Sequence, residues 1–219
     1  MGIISIERVD NLIWLGRYSE RVYITIKEFF SGYDTMMDDP DFYQTYCEHM
    51  TIPNIYSDID DFIKSYVADE NNVDSILSNL YRGYDNVVVL RNEIGTESIS
   101  YLELALNQLK NIEDYDSFIF ELQIVVDYIL AFWACLEENV QEYEVRSMII
   151  LGKRIERLDM YLRLRRDKDE LMKALDSLES RFHKNSLPFN LEHMNTLKAL
   201  LNQDELDYES AIACVEHLI

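Results

Sequence analysis

The chain has 219 residues, a formal net charge of −21, and only six glycines and three prolines. So strong a negative charge repels phosphate backbones and anionic lipid surfaces, which argues against a nucleic-acid-binding or membrane-binding protein. So few helix breakers favour long helices over a turn-rich β fold. The length suits a single domain over residues 1–219 with a sizeable core.

Apolar periodicity predicts a first helix over residues 6–31, ending at Gly32. The following segment, 33–71, is acidic and contains two of the three prolines. We expect this segment to be an insert with short helices near 40–49 and 57–67, because proline and clustered aspartate interrupt long helices.

The middle of the chain predicts two further long helices. One covers 72–94 and, after a kink at the letters GTES, resumes to about 111. The next covers 115–143 and contains the most apolar run of the chain, Leu122–Leu136. That run is 15 residues long and includes Asp127. Because a membrane span needs about 20 apolar residues, we expect a buried core helix and no membrane span.

The C-terminal part predicts a fourth long helix over 143–166 and a fifth over 168–184. The letters NSLPFN then mark a break. We expect the segment 185–219 to fold as short helices near 189–202 and 207–218. Period-2 alternation persists nowhere, so no strand is predicted. The predicted fold is all-α: a single helical bundle of about five long helices plus several short ones.

The cysteines indicate the redox compartment. The chain has three cysteines, which lie far apart in sequence, and it has no CxxC pair. An odd, scattered set argues against a disulfide framework and is typical of a reducing cytosol. We therefore expect small buried thiols at Cys47, Cys135 and Cys214 in a cytoplasmic protein. The N-terminal segment has neither the basic region nor the apolar run of a secretory signal.

The first and fourth predicted helices share a charged motif. The letters WLGRYSERV span Trp14–Val22, and a near copy, ILGKRIERL, spans Ile150–Leu158. In both copies apolar residues surround the Glu-Arg pair on most sides of the helix, and a helix that is apolar all round is usually buried. Because an unpaired buried charge costs several kcal/mol, these charges must find partners.

We expect the two copies to face each other. Adjacent Glu and Arg side chains diverge by about 100° on a helix, so they do not neutralise each other locally. The simplest arrangement sets the two helices side by side, parallel or antiparallel, with Glu20 meeting Arg157 and Glu156 meeting Arg21. The motif then forms either a salt-bridge lattice that fixes the register of the bundle or a charged pocket for a carboxylate or phosphate.

The first copy resembles the opening signature of the bacterial Alpha-E domain family, a helical domain named for its Glu-Arg motif. The matching residues are Arg8, Leu12, Trp14, Leu15, Gly16, Arg17, Tyr18, Glu20 and Arg21.

Two further segments are similar to motifs of the same family. In NVVVLRNEIGTES the matching residues are Asn86, Arg91, Ile94 and Glu97, while Val88 and Gly95 replace the Arg and Ser of the family. In LGKRIERLD they are Gly152, Glu156, Arg157 and Asp159, with Lys153 in place of an Arg. The resemblance covers about residues 8–165.

The resemblance implies a helical domain for which no catalytic activity is established. Such domains occur beside, or fused to, circularly permuted ATP-grasp ligases and transglutaminase-like proteins. The resemblance therefore implies a helical partner or scaffold for an ATP-grasp-type peptide ligase in a peptide-synthesis or protein-modification system. Family members are commonly longer, so we expect this chain to be a shortened member.

Seven residues are candidates for a charged core or ligand site. They are Arg17, Glu20, Arg21, Arg91, Glu97, Glu156 and Arg157. Three functions remain open. The first is a non-catalytic interaction domain that binds the ligase. The second is a binding or catalytic module whose arginines hold a carboxylate- or phosphate-bearing substrate and whose glutamates act as acid or base. The third is a purely structural bundle.

The sequence predicts no metal or cofactor site. Carboxylate-bridged di-iron bundles need a Glu-x-x-His pair, which is missing here. The histidines, which are metal ligands in many proteins, lie far apart in sequence at His49, His183, His193 and His217. The glycine before Lys153 lacks the upstream pattern of a phosphate loop. We expect neither metal, cofactor nor catalytic residue. A homo-oligomer is compatible with the sequence.

Overall fold

The fold is all-α, as predicted. A computed structural model describes residues 6–112, 118–184 and 187–219, and within these ranges the chain forms ten helices and no strand. In chain order the helices are α1 (Ile6–Asp38), α2 (Phe42–Met50), α3 (Ile59–Ala68), α4 (Ile76–Val89), α5 (Arg91–Lys110), α6 (Phe118–Asn139), α7 (Tyr143–Arg163), α8 (Lys168–Phe182), α9 (Leu191–Leu201) and α10 (Tyr208–Glu216). The predicted helix start at 115 and the first two residues of the segment 185–219 lie outside the described residues.

The first helix is longer than predicted. The expected end at Gly32 is wrong, because α1 continues to Asp38. Gly32 lies at a helix–helix contact, where an added Cβ would come 2.9 Å from Cδ2 of Tyr46 in α2. One turn further on, Met36 is fully buried. Burial of that side chain offsets the roughly 1 kcal/mol that a glycine costs inside a helix.

The second predicted long helix is divided in two. The sequence predicts helix from 72 to 94, but α4 ends at Val89 and α5 begins at Arg91, with Leu90 leaving helical geometry between them. The kink predicted at GTES is confirmed at Gly95, whose φ of 78° lies in the left-handed region that favours glycine.

Helices α1 and α7 form a parallel pair at the centre of the fold. Near the start of both helices, Arg8 Nη2 lies 3.4 Å from a carboxylate oxygen of Glu142. Further along both, Arg166, just past the end of α7, pairs with Glu28 of α1. Because the contacts occur in the same order along both helices, the two run in the same direction. The sequence left this choice open.

The core consists of two apolar clusters, and α7 contributes residues to both. The larger cluster contains residues of α1–α7, including stacked rings of Phe29, Phe62 and Tyr66. The acidic segment 33–71 thus supplies core side chains through α2 and α3. The smaller cluster packs α7 against α8, α9 and α10. All three cysteines are free and buried, as expected.

Helix α6 has one buried and one exposed face, whereas the sequence predicted a buried core helix. Its buried face, which includes Phe132, packs against α5. Its other face exposes Phe120, Ile124 and Leu130. In the part of the chain that the structure describes, α6 is the one helix whose length and apolar composition would allow it to span a membrane. Apolar core helices of soluble proteins have the same length and composition.

Candidate functional site

The two copies of the motif meet between α1 and α7. We call the six charged residues of this contact the Glu-Arg clamp: Arg17, Glu20 and Arg21 from α1, and Lys153, Glu156 and Arg157 from α7. Both glutamates are 0% exposed, whereas the cations are partly exposed. The clamp therefore places two carboxylates inside the protein and surrounds each with cations from the opposite helix.

On one side of the clamp, Glu156 accepts from two arginines. Arg17 Nε donates to Oε2 of Glu156 at 2.7 Å, and Arg21 Nε donates to Oε1. Burial lowers the pKa of Arg21, but Glu156 and Asp159 raise that pKa further, so the net direction is upward. Arg21 is therefore charged at any physiological pH.

On the other side of the clamp, Glu20 meets two cations of α7. Arg157 Nε donates to Oε1 of Glu20 at 2.6 Å, and Lys153 Nζ lies 3.8 Å from Oε2. The two halves are related by exchange of the helices: Arg17 corresponds to Lys153, Glu20 to Glu156 and Arg21 to Arg157. The contacts Glu20–Arg157 and Glu156–Arg21 are those that the repeat led us to expect.

Two glycines of the motif let the helices approach closely enough for these contacts. A Cβ at Gly16 would overlap the carbonyl oxygen of Ile149 and lie 2.8 Å from the amide nitrogen of Lys153. A Cβ at Gly152 would overlap the carbonyl oxygen of Ile13. The glycines therefore occupy equivalent positions in a backbone-to-backbone crossing, directly beside the charged pairs.

Aromatic rings cover the first cation of each motif. The guanidinium of Arg17 lies 4.7 Å from the ring centre of Trp14, and Lys153 Nζ lies 3.9 Å from that of Trp133 on α6. Cation–π attraction stabilises both charges. Burial nevertheless lowers the pKa of Lys153 to about 8, with the neighbouring Arg157 and Arg154 acting in the same direction and Glu20 opposing.

Asp159 breaks the symmetry of the clamp, because Tyr23 occupies the equivalent position on α1. Its fully buried carboxylate lies 3.1 Å from Arg163 Nε and 3.8 Å from Nη2 of both Arg17 and Arg21. Burial raises the pKa of Asp159, and the adjacent Glu156 adds to this shift. The α1 arginines thus face two carboxylates.

A cleft of about 450 Å³ opens beside this half of the clamp. Three cations line it, Arg17, Arg21 and Arg163, and so do three carboxylates, Asp74, Asp159 and Glu216. Neither clamp glutamate lines the cleft. The arginines that reach it are already paired with carboxylates, so little positive charge is left for a substrate anion. Glu20 and Glu156 are fully buried outside its lining.

Two of the seven candidate residues lie elsewhere. Arg91 and Glu97 are exposed on the first turns of α5, which packs against α4 and α6. Glu97 accepts a hydrogen bond from Asn139 Nδ2 at 2.8 Å. The structure brings the other five, Arg17, Glu20, Arg21, Glu156 and Arg157, into one cluster and leaves these two outside it.

Several residues of the site were not among the sequence candidates. Lys153 and Asp159 belong to the second motif copy, so their place in the repeat was an available signal. The repeated LG before the cation likewise marks Gly16 and Gly152. Trp133 has no such signal, because it comes from a different helix. Among the described residues, no group of three or more His, Cys, Asp or Glu side chains is placed to hold a metal ion.

Comparison with known sequences agrees with these features. The Alpha-E family, described as a predicted alpha-helical domain with a conserved ER motif, matches residues 8–203. The match extends beyond the residues 8–165 covered by the motifs and includes α8 and α9. No curated protein and no solved structure matches the chain at a significant level. With the Glu-Arg motif duplicated across its central helix pair and the family matched over most of its length, the chain belongs to the Alpha-E family.

Proposed function

We propose that this protein is a non-catalytic helical scaffold whose Glu-Arg clamp fixes the register of α1 against α7 and whose outer surface binds a protein partner. One observation supports this proposal most directly. Both glutamates of the clamp are fully buried, and each is paired with cations of the opposite helix. The two glutamates, buried and paired in this way, are not available to act on a substrate.

The clamp is well suited to specifying one packing arrangement. A slip of α1 along α7 by one residue would separate Glu20 from Arg157 and Glu156 from Arg21, leaving two carboxylates buried without partners. Breaking such a buried pair costs about 3–5 kcal/mol. The crossing at Gly16 and Gly152 adds a steric condition to the same register.

The exposed face of α6 is the surface that best supports a partner. Phe120 is 75% exposed, and Ile124 and Leu130 are exposed within an arc of about 120° around the same helix. An exposed aromatic and aliphatic stripe on an otherwise acidic protein favours protein–protein contact, because a partner would remove this apolar surface from water.

The partner we propose is an ATP-grasp-type peptide ligase, with a transglutaminase-like protein as the second choice, in the cytoplasm. This choice is supported by the neighbourhood in which similar domains occur and by the free, buried cysteines. The alternative of a binding or catalytic module receives less support, because the cleft beside the clamp is lined by equal numbers of cations and carboxylates.

Binding of the purified chain to the ATP-grasp ligase of the same genome tests this proposal. We expect a saturable complex in isothermal titration calorimetry, weakened about tenfold or more by Phe120→Glu. The matched control is Leu191→Glu, which replaces another apolar residue, 61% exposed, on α9 and should leave the affinity unchanged.

Three results would contradict the proposal. Absence of binding at micromolar concentration would favour the purely structural alternative. Equal losses in both variants would show that added negative charge, rather than the α6 face, controls the affinity. Cosedimentation with neutral phospholipid vesicles, abolished by Phe120→Glu, would show that the α6 face inserts into a membrane instead of binding a protein.

A further inference from the structure

A second cavity, of about 200 Å³, lies on the far side of the clamp between α6, α7 and α8. Its charged lining consists of Arg146, Lys153, Arg154, Arg181 and one carboxylate, Glu137. This balance is the reverse of that in the whole chain, which has 41 acidic and 20 basic residues. The lining residues therefore carry more positive than negative charge, a surplus that attracts an anion.

Burial and neighbouring positive charges lower the pKa values of two of these cations, Arg154 and Lys153. Burial lowers the pKa of Arg154, and the positive charges of Arg157 and Arg181 lower it further. Burial likewise lowers the pKa of Lys153 to about 8. Glu20, the carboxylate that opposes both shifts, is already engaged by Arg157.

Two N–H donors that line this cavity have no hydrogen-bond partner among the described residues. One is the indole Nε1 of Trp133, a residue only 9% exposed. The other is Nε of Arg154. A buried donor left unpaired costs about 1–3 kcal/mol, so orphaned donors concentrated at one place call for an acceptor. An oxyanion in the cavity would accept hydrogen bonds from both donors.

We infer that this cavity is a binding site for a phosphate group, held by Arg154, Lys153 and Arg181 with the indole of Trp133 against it. The surplus of positive charge favours a dianion over a singly charged carboxylate. Guanidinium groups present forked donors that match phosphate oxygens. The volume is below the roughly 300–1,000 Å³ of sites for drug-sized ligands, which suits inorganic phosphate or the phosphate end of a small monoester.

Lys153 connects this site to the clamp. Its Nζ lies 3.8 Å from Oε2 of Glu20, an oxygen without a hydrogen-bond partner, and 3.9 Å above the ring of Trp133. A dianion in the cavity stabilises the protonated lysine and competes with Glu20 for it. Phosphate binding therefore raises the pKa of Lys153, and the affinity falls as pH rises through about 8.

Phosphate titration followed by tryptophan emission tests the inference directly. The chain has two tryptophans, so a Trp14→Phe background leaves Trp133 as the reporter. We expect saturable quenching by inorganic phosphate at millimolar concentration, and about tenfold weaker binding after Arg154→Gln or Arg181→Gln. Arg91→Gln, which removes an exposed positive charge on α5, is the matched control and should change the affinity less than twofold.

The comparison of anions and variants decides the outcome. Phosphoserine binding more tightly than inorganic phosphate would identify a monoester as the ligand, whereas equal affinities would identify the free ion; either supports a phosphate site. Acetate binding as well as phosphate would overturn the choice of a dianion. A response to phosphate that does not saturate, or equal weakening by Arg91→Gln, would overturn the site. Failure to bind phosphate would not contradict the proposed binding of a ligase, because that binding is tested separately through Phe120 on α6.

Discussion

At the scale of single residues, the clamp shows how two carboxylates are accommodated in the protein interior. Glu20 and Glu156 are fully buried, and the cost of removing each charge from water is recovered only because cations of the opposite helix donate to it. The cations keep contact with solvent at their far side, which reduces their own desolvation cost. Exchanging charges across the pair is therefore the most direct test of the contact.

We expect Glu20→Arg and Arg157→Glu each to destabilise the fold by about 3–5 kcal/mol, because each places like charges together at a buried position. The double variant should be more stable than the sum of the two losses predicts by roughly 0.5–3 kcal/mol, since the pair is restored in reverse. Urea denaturation followed by circular dichroism measures these differences.

The control for this cycle combines Arg157→Glu with Glu103→Arg, which changes an exposed glutamate on α5. This combination should show additive effects. Additive losses in the Glu20–Arg157 cycle as well would contradict an energetic contact between the two side chains. If the charge reversals do not fold, Glu20→Gln and Arg157→Gln give the same cycle with smaller losses.

At the scale of the helix, the crossing of α1 and α7 depends on backbone contact. Both copies of the motif place a glycine one residue before the first cation, and each glycine lies against the carbonyl of an isoleucine on the other helix. Because the two helix axes lie close together, the Arg157 side chain can reach Glu20 and donate a hydrogen bond to it. Gly83, within α4, has no such contact with the backbone of another helix.

We predict that Gly16→Ala and Gly152→Ala each destabilise the protein by about 1–3 kcal/mol or more, because the new methyl group overlaps backbone that cannot rotate away. Gly83→Ala on α4 is the control. A Cβ there would lie 3.4 Å from Cβ of Tyr18, an ordinary contact, and alanine favours helix by up to about 1 kcal/mol.

Thermal unfolding of the three variants measures the effect. We expect the melting temperature to fall for the two motif glycines and to stay level or rise for Gly83→Ala. A similar response at all three positions would indicate general helix propensity and contradict a specific role for the crossing.

For the whole molecule, the charge distribution is uneven. The chain carries 41 acidic and 20 basic residues. Seven of the basic residues lie in the clamp or line the phosphate cavity: Arg17, Arg21, Arg146, Lys153, Arg154, Arg157 and Arg181. The rest of the surface is correspondingly more acidic than the average. Net self-repulsion of this kind destabilises the compact state.

We therefore predict that the melting temperature rises as sodium chloride increases from about 0.01 to about 0.15 M, because salt screens repulsion between exposed charges while buried pairs are screened much less. Sodium fluoride should give the same increase if screening is the cause. Sodium phosphate should give a further increase through the cavity on α7, which Arg154→Gln should remove. A fall in melting temperature with sodium chloride would show that exposed ion pairs outweigh the repulsion.

The sequence by itself determined that the fold is all-α and which charges had to meet. Leu12, Leu15, Val22 and Phe29 belong to the apolar periodicity that predicted the first helix, and all four are fully buried. The repeat of Glu-Arg predicted that Glu20 faces Arg157, because a duplicated buried charge needs a duplicated partner. These features follow from periodicity and from the cost of an unpaired charge, which are local properties of the chain.

Only the tertiary structure decided how those helices are used. The sequence could not predict that α1 continues past Gly32 to Asp38. The continued helix is stabilised by packing around Met36 and Tyr46, and that packing exists only when α2 lies against α1. The grouping of Arg91 and Glu97 with the clamp rested on motif similarity, and the fold places them on the exposed start of α5. Trp133, Arg154 and Arg181 come together from three helices. No spacing along the chain encodes such a meeting, because it depends on how separate helices pack against one another.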